Sequence, residues 1–167
     1  MEACSKTLKL QELIKKMFQG HSICSVDNKS RIILPAKFRK YINLEADNKF
    51  TITRGIDTCL LMYPNEEWQK VQSDLLKYDP LDTVQRHFVR EFLLNVNEVE
   101  LDAQYRMLIP TELLQFADIK KDALVIGILD KIEIWSPEVK KKYDDAQNDS
   151  YEVIAQKVSE LSKNRNV

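Results

Sequence analysis

The feature of this sequence that most constrains its fold is an internal duplication. Residues 26–39 and 101–113 follow one pattern: an apolar residue, Asp, three further residues, Arg, three apolar residues and Pro. The shared positions are Asp27, Arg31 and Pro35 in the first copy and Asp102, Arg106 and Pro110 in the second. The offset of 75 positions is nearly half of the 167-residue chain. A repeat this short cannot bury its apolar face alone, so the two copies should pack against each other.

The duplication continues downstream of both motifs. Residues 55–64 match residues 128–137, with an Asp and a Pro at equivalent places and an offset of 73. Each repeat is typical of a strand, a second strand, a short helix, two further strands and a helix that begins after proline. The sequence therefore predicts an α+β fold, mainly β with helices, built twice.

This pattern divides the chain into five predicted parts. They are an N-terminal extension at 1–16, a first repeat at 17–64, linking helices at 65–97, a second repeat at 98–143 and a C-terminal helical tail at 144–167.

Composition excludes several classes of protein. The chain contains no run of about 18 apolar residues and its N-terminus lacks a signal-peptide apolar region, so we expect a cytoplasmic protein without membrane contact. Three cysteines, at 4, 24 and 59, form no CxxC pair, and the two histidines are isolated, so we expect no metal and no other cofactor. Three glycines give no phosphate-binding loop, and GxSxG and HExxH are absent, so we expect neither an enzyme nor a small-molecule substrate.

The net charge of −1 conceals an uneven distribution of charge. Residues 17–64 hold seven basic and four acidic residues, a balance of +3, whereas residues 65–100 hold four basic and eight acidic residues, a balance of −4. Positive charge is densest around the first motif, at Lys29, Arg31, Lys37, Arg39 and Lys40. Such a local patch, repeated on an oligomer, would bind phosphates.

The Asp-x-x-x-Arg spacing admits a structural and a functional interpretation. Across a turn the carboxylate can meet the guanidinium, so Asp27 and Asp102 could simply hold the turn or a neighbouring subunit. Pro35 and Pro110, which close the two motifs, would be structural in the same way. In the functional interpretation Lys29 and Arg31 enter a DNA groove. The cations of the following helix, Lys37, Arg39 and Lys40, would then neutralise phosphates. The neighbours of Arg106 bring no further charge, which favours a structural role for that residue.

Six segments carry a resemblance to a known family. They are M-F-x-G at 17–20, D-x-K-x-R-I-x-x-P-A-K-F-R at 27–39, G-I-D-x-C-L-x-x-Y-P-x-x-x-W at 55–68, R-x-F at 86–88, E-L-D-x-Q-x-R-x-x-x-P at 100–110 and I-E-I-W at 132–135. In this order, over residues 17–145, the chain resembles the MraZ family of transcriptional regulators, which carries two SpoVT/AbrB-like motifs in one chain.

The resemblance implies a fold, an assembly and a function. The fold would be a pseudo-twofold, duplicated AbrB/MazE/MraZ-like double-split β-barrel with helices outside. The assembly would be a homo-oligomeric ring, an octamer or larger, associated with the nucleoid. It would bind double-stranded DNA at repeated sites in the promoter of the bacterial division and cell-wall gene cluster.

The family's motif residues carry over position by position. Its first-motif Lys and Arg fall on Lys29 and Arg31, and its second-motif Arg falls on Arg106, which therefore joins the DNA-binding candidates. Family members usually have Gly where this chain has Ser30 and Tyr105. If the turn requires a positive φ, each replacement costs about 1 kcal/mol.

Two other functions remain open at this point. One is a ring-forming interaction protein without specific DNA binding, suggested by the replaced glycines and the slightly acidic chain. The other is an antitoxin-like module that caps a partner enzyme, since the same fold serves that role by resemblance.

Overall fold

The computed structural model describes residues 17–42 and 48–164, and the predicted extension at 1–16 lies outside these ranges. The strands are β1 (Phe18–Ser25), β2 (Arg31–Ile33), β3 (Lys49–Arg54), β4 (Leu60–Pro64), β5 (Asn97–Glu100), β6 (Arg106–Leu108), β7 (Asp122–Leu129) and β8 (Lys131–Trp135). The helices are α1 (Ala36–Arg39), α2 (Asn65–Leu75), α3 (Thr83–Leu94), α4 (Thr111–Phe116), α5 (Pro137–Asp145) and α6 (Tyr151–Asn164). The described residues divide into two compact units, one ending at Pro137 and one beginning at Glu138.

The order of elements confirms the predicted α+β class and its duplication. The sequence β-β-α-β-β-α runs from β1 to α2 and again from β5 to α5, with α3 between the two copies. One sheet has the order β1-β7-β8-β4-β3-β5, and β2 and β6 form a separate antiparallel ribbon. The sheet order is unchanged when the repeats are exchanged, so the first unit has pseudo-twofold symmetry.

The two repeats exchange their first strands. Strand β1 pairs with β7 of the second repeat along its whole length, from Phe18 opposite Leu129 to Ser25 opposite Asp122. In the same way β5 of the second repeat pairs with β3 of the first, where Glu100 lies opposite Lys49. Neither repeat can therefore complete its own sheet, which agrees with the expectation that they share one core.

The ribbon lies on the pseudo-symmetry axis. Its central pair is Ile32 and Met107, which occupy the same position of the two motifs. Both side chains are buried, because alternate residues of a strand point to opposite faces. The equivalent pairs Leu34 with Ile109 and Phe38 with Leu113 are buried in the same core.

Helices α2 and α3 form a hairpin joined by aromatic contacts. Trp68 of α2 stacks on Phe92 of α3 with ring centroids 6.1 Å apart, and Phe92 stacks on Phe88 at 5.8 Å. The side chain of Asp82 caps α3 by accepting a hydrogen bond from the Gln85 N–H at 2.8 Å. No residue of α3, which lies wholly within the described ranges, is fully buried, and Val84, Leu93 and Leu94 on this helix are exposed, so the hairpin presents apolar side chains at its surface.

No helix in residues 17–42 or 48–164 is long and apolar enough to cross a membrane.

Candidate nucleic-acid interface

The first motif is a turn organised by the Asp27 carboxylate. Its Oδ1 accepts hydrogen bonds from the backbone N–H groups of Lys29 at 2.8 Å and Arg31 at 2.9 Å. Its Oδ2 accepts from Arg31 Nε at 2.8 Å and lies 2.7 Å from Arg31 Nη2. One side chain therefore fixes the backbone of the turn and the position of the arginine, as aspartate does in Asx turns.

The second motif repeats this arrangement. Asp102 Oδ1 accepts from the backbone N–H groups of Gln104 at 2.8 Å and Arg106 at 3.0 Å, and Oδ2 accepts from Arg106 Nε at 2.7 Å. The Asp-x-x-x-Arg spacing thus produces the same turn twice, although the residues inside the two turns differ.

Both ion pairs keep their charges. The Arg31 side chain, followed by the Arg31 backbone N–H, lowers the pKa of Asp27 from 3.8 to about 2. In return, the hydrogen bond to Asp27 raises the pKa of Arg31. The pKa of Asp102 is also lowered, mainly by the backbone N–H of Arg106.

Each turn contains one residue in the left-handed region, and these are the two positions where glycine was expected. Ser30 and Tyr105 both have a φ of 59°. The Ser30 carbonyl accepts a hydrogen bond from the Ile109 N–H at 2.9 Å, and the Tyr105 carbonyl accepts from the Leu34 N–H at 2.8 Å. The turn therefore does need a positive φ, and this conformation directs both carbonyls to the opposite repeat.

The ribbon brings the two motif arginines onto one face. Arg31 lies opposite Leu108 and Arg106 lies opposite Ile33, so the arginines occupy diagonal corners. Their side chains are about equally exposed, at 29% and 31%. We call the surface formed by Arg31, Ile33, Arg106 and Leu108 the ribbon face.

The Asp27 contacts leave part of the Arg31 guanidinium directed away from the turn. They use the edge formed by Nε and Nη2. Since the group is planar and carries donors on every nitrogen, the edge formed by the two terminal nitrogens stays suitable for a bidentate acceptor.

The other predicted cations lie in different surroundings. Lys29 is exposed within the first turn. The ammonium group of Lys37 donates a hydrogen bond to the His21 carbonyl, and that of Lys40 lies 4.7 Å from the centre of the Tyr41 ring.

Arg39 is half-buried and makes structural contacts. Its Nε donates to the Leu34 carbonyl at 2.9 Å, and its guanidinium lies 4.7 Å from the centre of the Tyr105 ring. These contacts join α1 to the turn of the second repeat. A role for Arg39 in phosphate binding stays a prediction.

The two motif prolines stand immediately before helices. Pro35 precedes α1 and Pro110 precedes α4, with φ values of −54° and −53°. Each therefore ends the ribbon strand and fixes where its helix begins.

Sequence reasoning missed two members of the ribbon face. Ile33 and Leu108 are 48% and 59% exposed, although each stands within an apolar run of the motif. The available signal was the alternation of a strand, in which residues on either side of a buried centre point outward.

No group of three or more His, Cys, Asp or Glu side chains that could hold a metal ion lies within the described part of the chain.

The fold and the site together define a class of protein. It is a duplicated α+β chain in which the repeats exchange strands and each contributes one Asp–Arg turn to a common ribbon. A family model described as "MraZ protein, putative antitoxin-like" matches the chain twice, at residues 17–91 and 92–163. The chain belongs to the MraZ family.

Curated relatives support this assignment over most of the chain. The chain is 45% identical to the transcriptional regulator MraZ of Clostridium tetani over 145 residues, which cover 87% of this chain and 99% of the relative. It is 44% identical to the protein of the same name from Clostridium beijerinckii over 146 residues, with the same two coverages. The corresponding identity to the Halothermothrix orenii protein is 39% over 145 residues. The resemblance inferred from the motifs is thus confirmed. Since members of this family are transcriptional regulators, the expectation that the chain is not an enzyme is confirmed as well.

Proposed function

We propose that this protein is a sequence-specific, DNA-binding transcriptional regulator that acts as a homo-oligomeric ring of eight or more subunits. Its targets would be promoter repeats of the division and cell-wall gene cluster, and it would work in the cytoplasm at the nucleoid. The observation that carries the DNA-binding proposal is the ribbon face, on which two arginines held by matching turns occupy diagonal corners. The names of the curated relatives, transcriptional regulators, support the same function.

In this proposal each aspartate orients its arginine for reading DNA. Asp27 holds one edge of the Arg31 guanidinium, so the terminal edge can pair bidentately with guanine in the major groove. A fixed side chain loses less conformational entropy on binding than a free one. Lys29, exposed in the same turn, would enter the groove beside Arg31 and neutralise a phosphate at its edge. Lys37, Arg39 and Lys40, which follow in the chain, would contact further phosphates.

The charge of a single ribbon face supports the need for an oligomer. Each arginine is paired with its own aspartate, so the two turns contribute little net charge apart from Lys29. Because the affinity of proteins for DNA depends strongly on the number of phosphates neutralised, one subunit would bind weakly. Several faces on one assembly, engaged with several repeats, would raise the affinity through effective concentration.

The exposed hairpin of α2 and α3 is a suitable surface for assembly. Leu76 at its tip is 87% exposed and Val84 on α3 is 77% exposed, with Leu81 exposed in the connecting loop and Leu94 exposed at the end of α3. A monomeric protein seldom exposes a large apolar patch, and such patches often mark protein contacts. The −4 balance of residues 65–100 against the +3 balance of residues 17–64 would favour contact between unlike surfaces of two copies.

The proposal is tested by binding to DNA from upstream of the protein's own gene, with a scrambled duplex for comparison and oligomer mass measured in parallel. Arg31→Ala and Arg106→Ala should lose the preference for the natural duplex and keep the wild-type mass. Arg31→Lys, which keeps the charge but removes the fork of donors, should lose preference more than total affinity. Lys141→Ala removes an exposed cation of α5 that belongs neither to the ribbon face nor to the α2–α3 hairpin, and it should bind as wild type does.

The other candidate functions correspond to distinct results. If the wild type forms a ring but binds natural and scrambled DNA equally, it is an interaction module without sequence specificity. If it binds neither duplex and captures an enzyme through the ribbon face, the antitoxin-like interpretation replaces the regulator.

A further inference from the structure

We propose that Ile33 and Leu108 contact thymine methyl groups in the major groove and so set part of the sequence preference of the ribbon face. This inference rests on the proposed DNA-binding function and names two residues that would read bases beside the arginines.

The two side chains are exposed where the fold does not need them. Their neighbours Ile32 and Met107 point inward and are buried, so the core of the ribbon is complete without Ile33 and Leu108. Both are large aliphatic residues at diagonal corners of a surface whose other corners are arginines. Water is an unfavourable environment for such side chains, whereas the methyl group of thymine is an apolar contact that only one base offers.

The spacing of the ribbon fits the spacing of bases. Residues two apart on a strand, such as Arg31 and Ile33, lie roughly 6.6 Å apart. Successive bases of one DNA strand rise about 3.4 Å, so these two side chains match bases about two steps apart. The major groove is wide enough for a two-stranded ribbon.

The register couples each aliphatic side chain to an arginine. Leu108 lies opposite Arg31, and Ile33 lies opposite Arg106, so each end of the ribbon face presents one of each kind. With arginine on guanine and the aliphatic chain on thymine, each end would prefer a site in which these two bases are close neighbours.

The charges around the patch favour DNA as its occupant over a second copy of this chain. Arg31 and Arg106 flank the aliphatic pair, and Lys29 projects from the adjoining turn. An apolar patch used for protein contact is normally depleted in charge at its centre. Here the guanidinium groups alternate with the aliphatic side chains, as a surface that meets both base edges and phosphates requires.

Replacement of thymine by uracil tests the proposal, because uracil differs from thymine only by the missing methyl group. Wild type should bind the natural upstream duplex roughly fourfold more tightly than a duplex lacking one contacted methyl. Ile33→Ala and Leu108→Ala should each bind the natural duplex several-fold more weakly and become insensitive to uracil at one position, a different one for each variant. Ile23→Ala, which removes a 65% exposed isoleucine from β1, should keep the full uracil sensitivity of wild type.

Three results would overturn the inference. If wild type prefers the natural duplex and no uracil substitution weakens binding, the methyl contacts do not exist, although the DNA-binding function stands. If both alanine variants keep every uracil effect and instead lose oligomer mass, the patch is a contact between copies. If wild type shows no preference for the natural duplex, this inference and the proposed function fail together.

Discussion

Ser30 and Tyr105 occupy the same position of the two repeats and share one backbone conformation, with φ at 59° in each. The carbonyl of each accepts a hydrogen bond from the opposite repeat, at Ile109 and Leu34 respectively. The left-handed conformation costs about 1 kcal/mol for a residue with a side chain. A hydrogen bond contributes a similar amount, so the bonds between repeats roughly offset the strain.

Replacing these two residues by glycine should have opposite effects on stability. Ser30→Gly relieves the strain at an exposed turn and should raise the free energy of unfolding by up to about 1 kcal/mol, reduced by the greater entropy of glycine in the unfolded chain. Tyr105→Gly relieves the same strain but removes the ring that contacts Arg39 and packs against the core, so it should lower that free energy by about 1 kcal/mol or more. Denaturant unfolding at matched protein concentration measures both; a gain for Tyr105→Gly would contradict the structural role of its ring.

The turn of the first motif should make stability depend on pH in the acidic range. The folded-state pKa of Asp27 is lowered from 3.8 to about 2, so its stabilising contribution is complete above 3.8 and is lost as the pH falls towards 2. Asp27→Asn should be less stable than wild type at neutral pH, and its stability should decline less over this interval. The pKa of Asp102 is also lowered, so the double variant with Asp102→Asn should decline less again. Unfolding free energies measured from pH 5 to pH 2 would contradict this if the three proteins lost stability in parallel.

Lys29 and Gln104 stand at equivalent positions of the two turns, which provides a reciprocal pair of variants. Each phosphate contact contributes about 0.9 to the slope of log affinity against log salt. Lys29→Gln should therefore lower this slope by about 0.9 for every subunit bound to DNA, with little change in sequence preference. Gln104→Lys should raise the slope if the second turn also approaches phosphate. Affinities measured over a salt series decide this, and an unchanged slope for Lys29→Gln would remove that residue from the interface.

The exposed hairpin should control assembly without controlling the fold. Leu76→Asp and Val84→Asp place a charge where the described structure has little side-chain burial, so the folded chain should keep its circular dichroism spectrum. If the hairpin forms the contact between subunits, association should weaken on the order of tenfold or more, because a charge would be buried there without a partner. Gln115→Asp is the control, since it adds the same charge at an exposed site of α4, outside the hairpin. Oligomer mass at several concentrations measures the effect, and equal masses for all three variants would place the subunit contact elsewhere.

Much of the local structure follows from the sequence by short-range chemistry. Asp followed four residues later by Arg predicts the turn, because the carboxylate reaches the backbone N–H groups and the guanidinium of its own loop. The order of elements in both repeats was predicted from the prolines and the periodicity of apolar residues, and the short helix of the second repeat does begin directly after Pro110. The sequence left open whether the turn requires a positive φ, and the structure has this conformation at both Ser30 and Tyr105.

The pairing of strands was decided by the tertiary structure. The hydrogen-bonding groups of β1 would serve equally well beside a strand of its own repeat, and nothing local to Phe18–Ser25 specifies β7 as the partner. The choice depends on burying the apolar faces of both repeats in one core, which is a property of the complete fold.

The composition of the ribbon face has the same origin. Arg31 and Arg106 are 75 positions apart in sequence, and only the pairing of β2 with β6 makes them neighbours. The apolar runs of the two motifs did not distinguish Ile33 from Ile32 or Leu108 from Met107. The sequence by itself determined the two turns, because they depend on contacts within a few residues, and it determined the duplication and the family, because these are patterns of residue identity along the chain. The tertiary structure alone decided which side chains share a surface, because that depends on how distant strands pair to exclude water from one core.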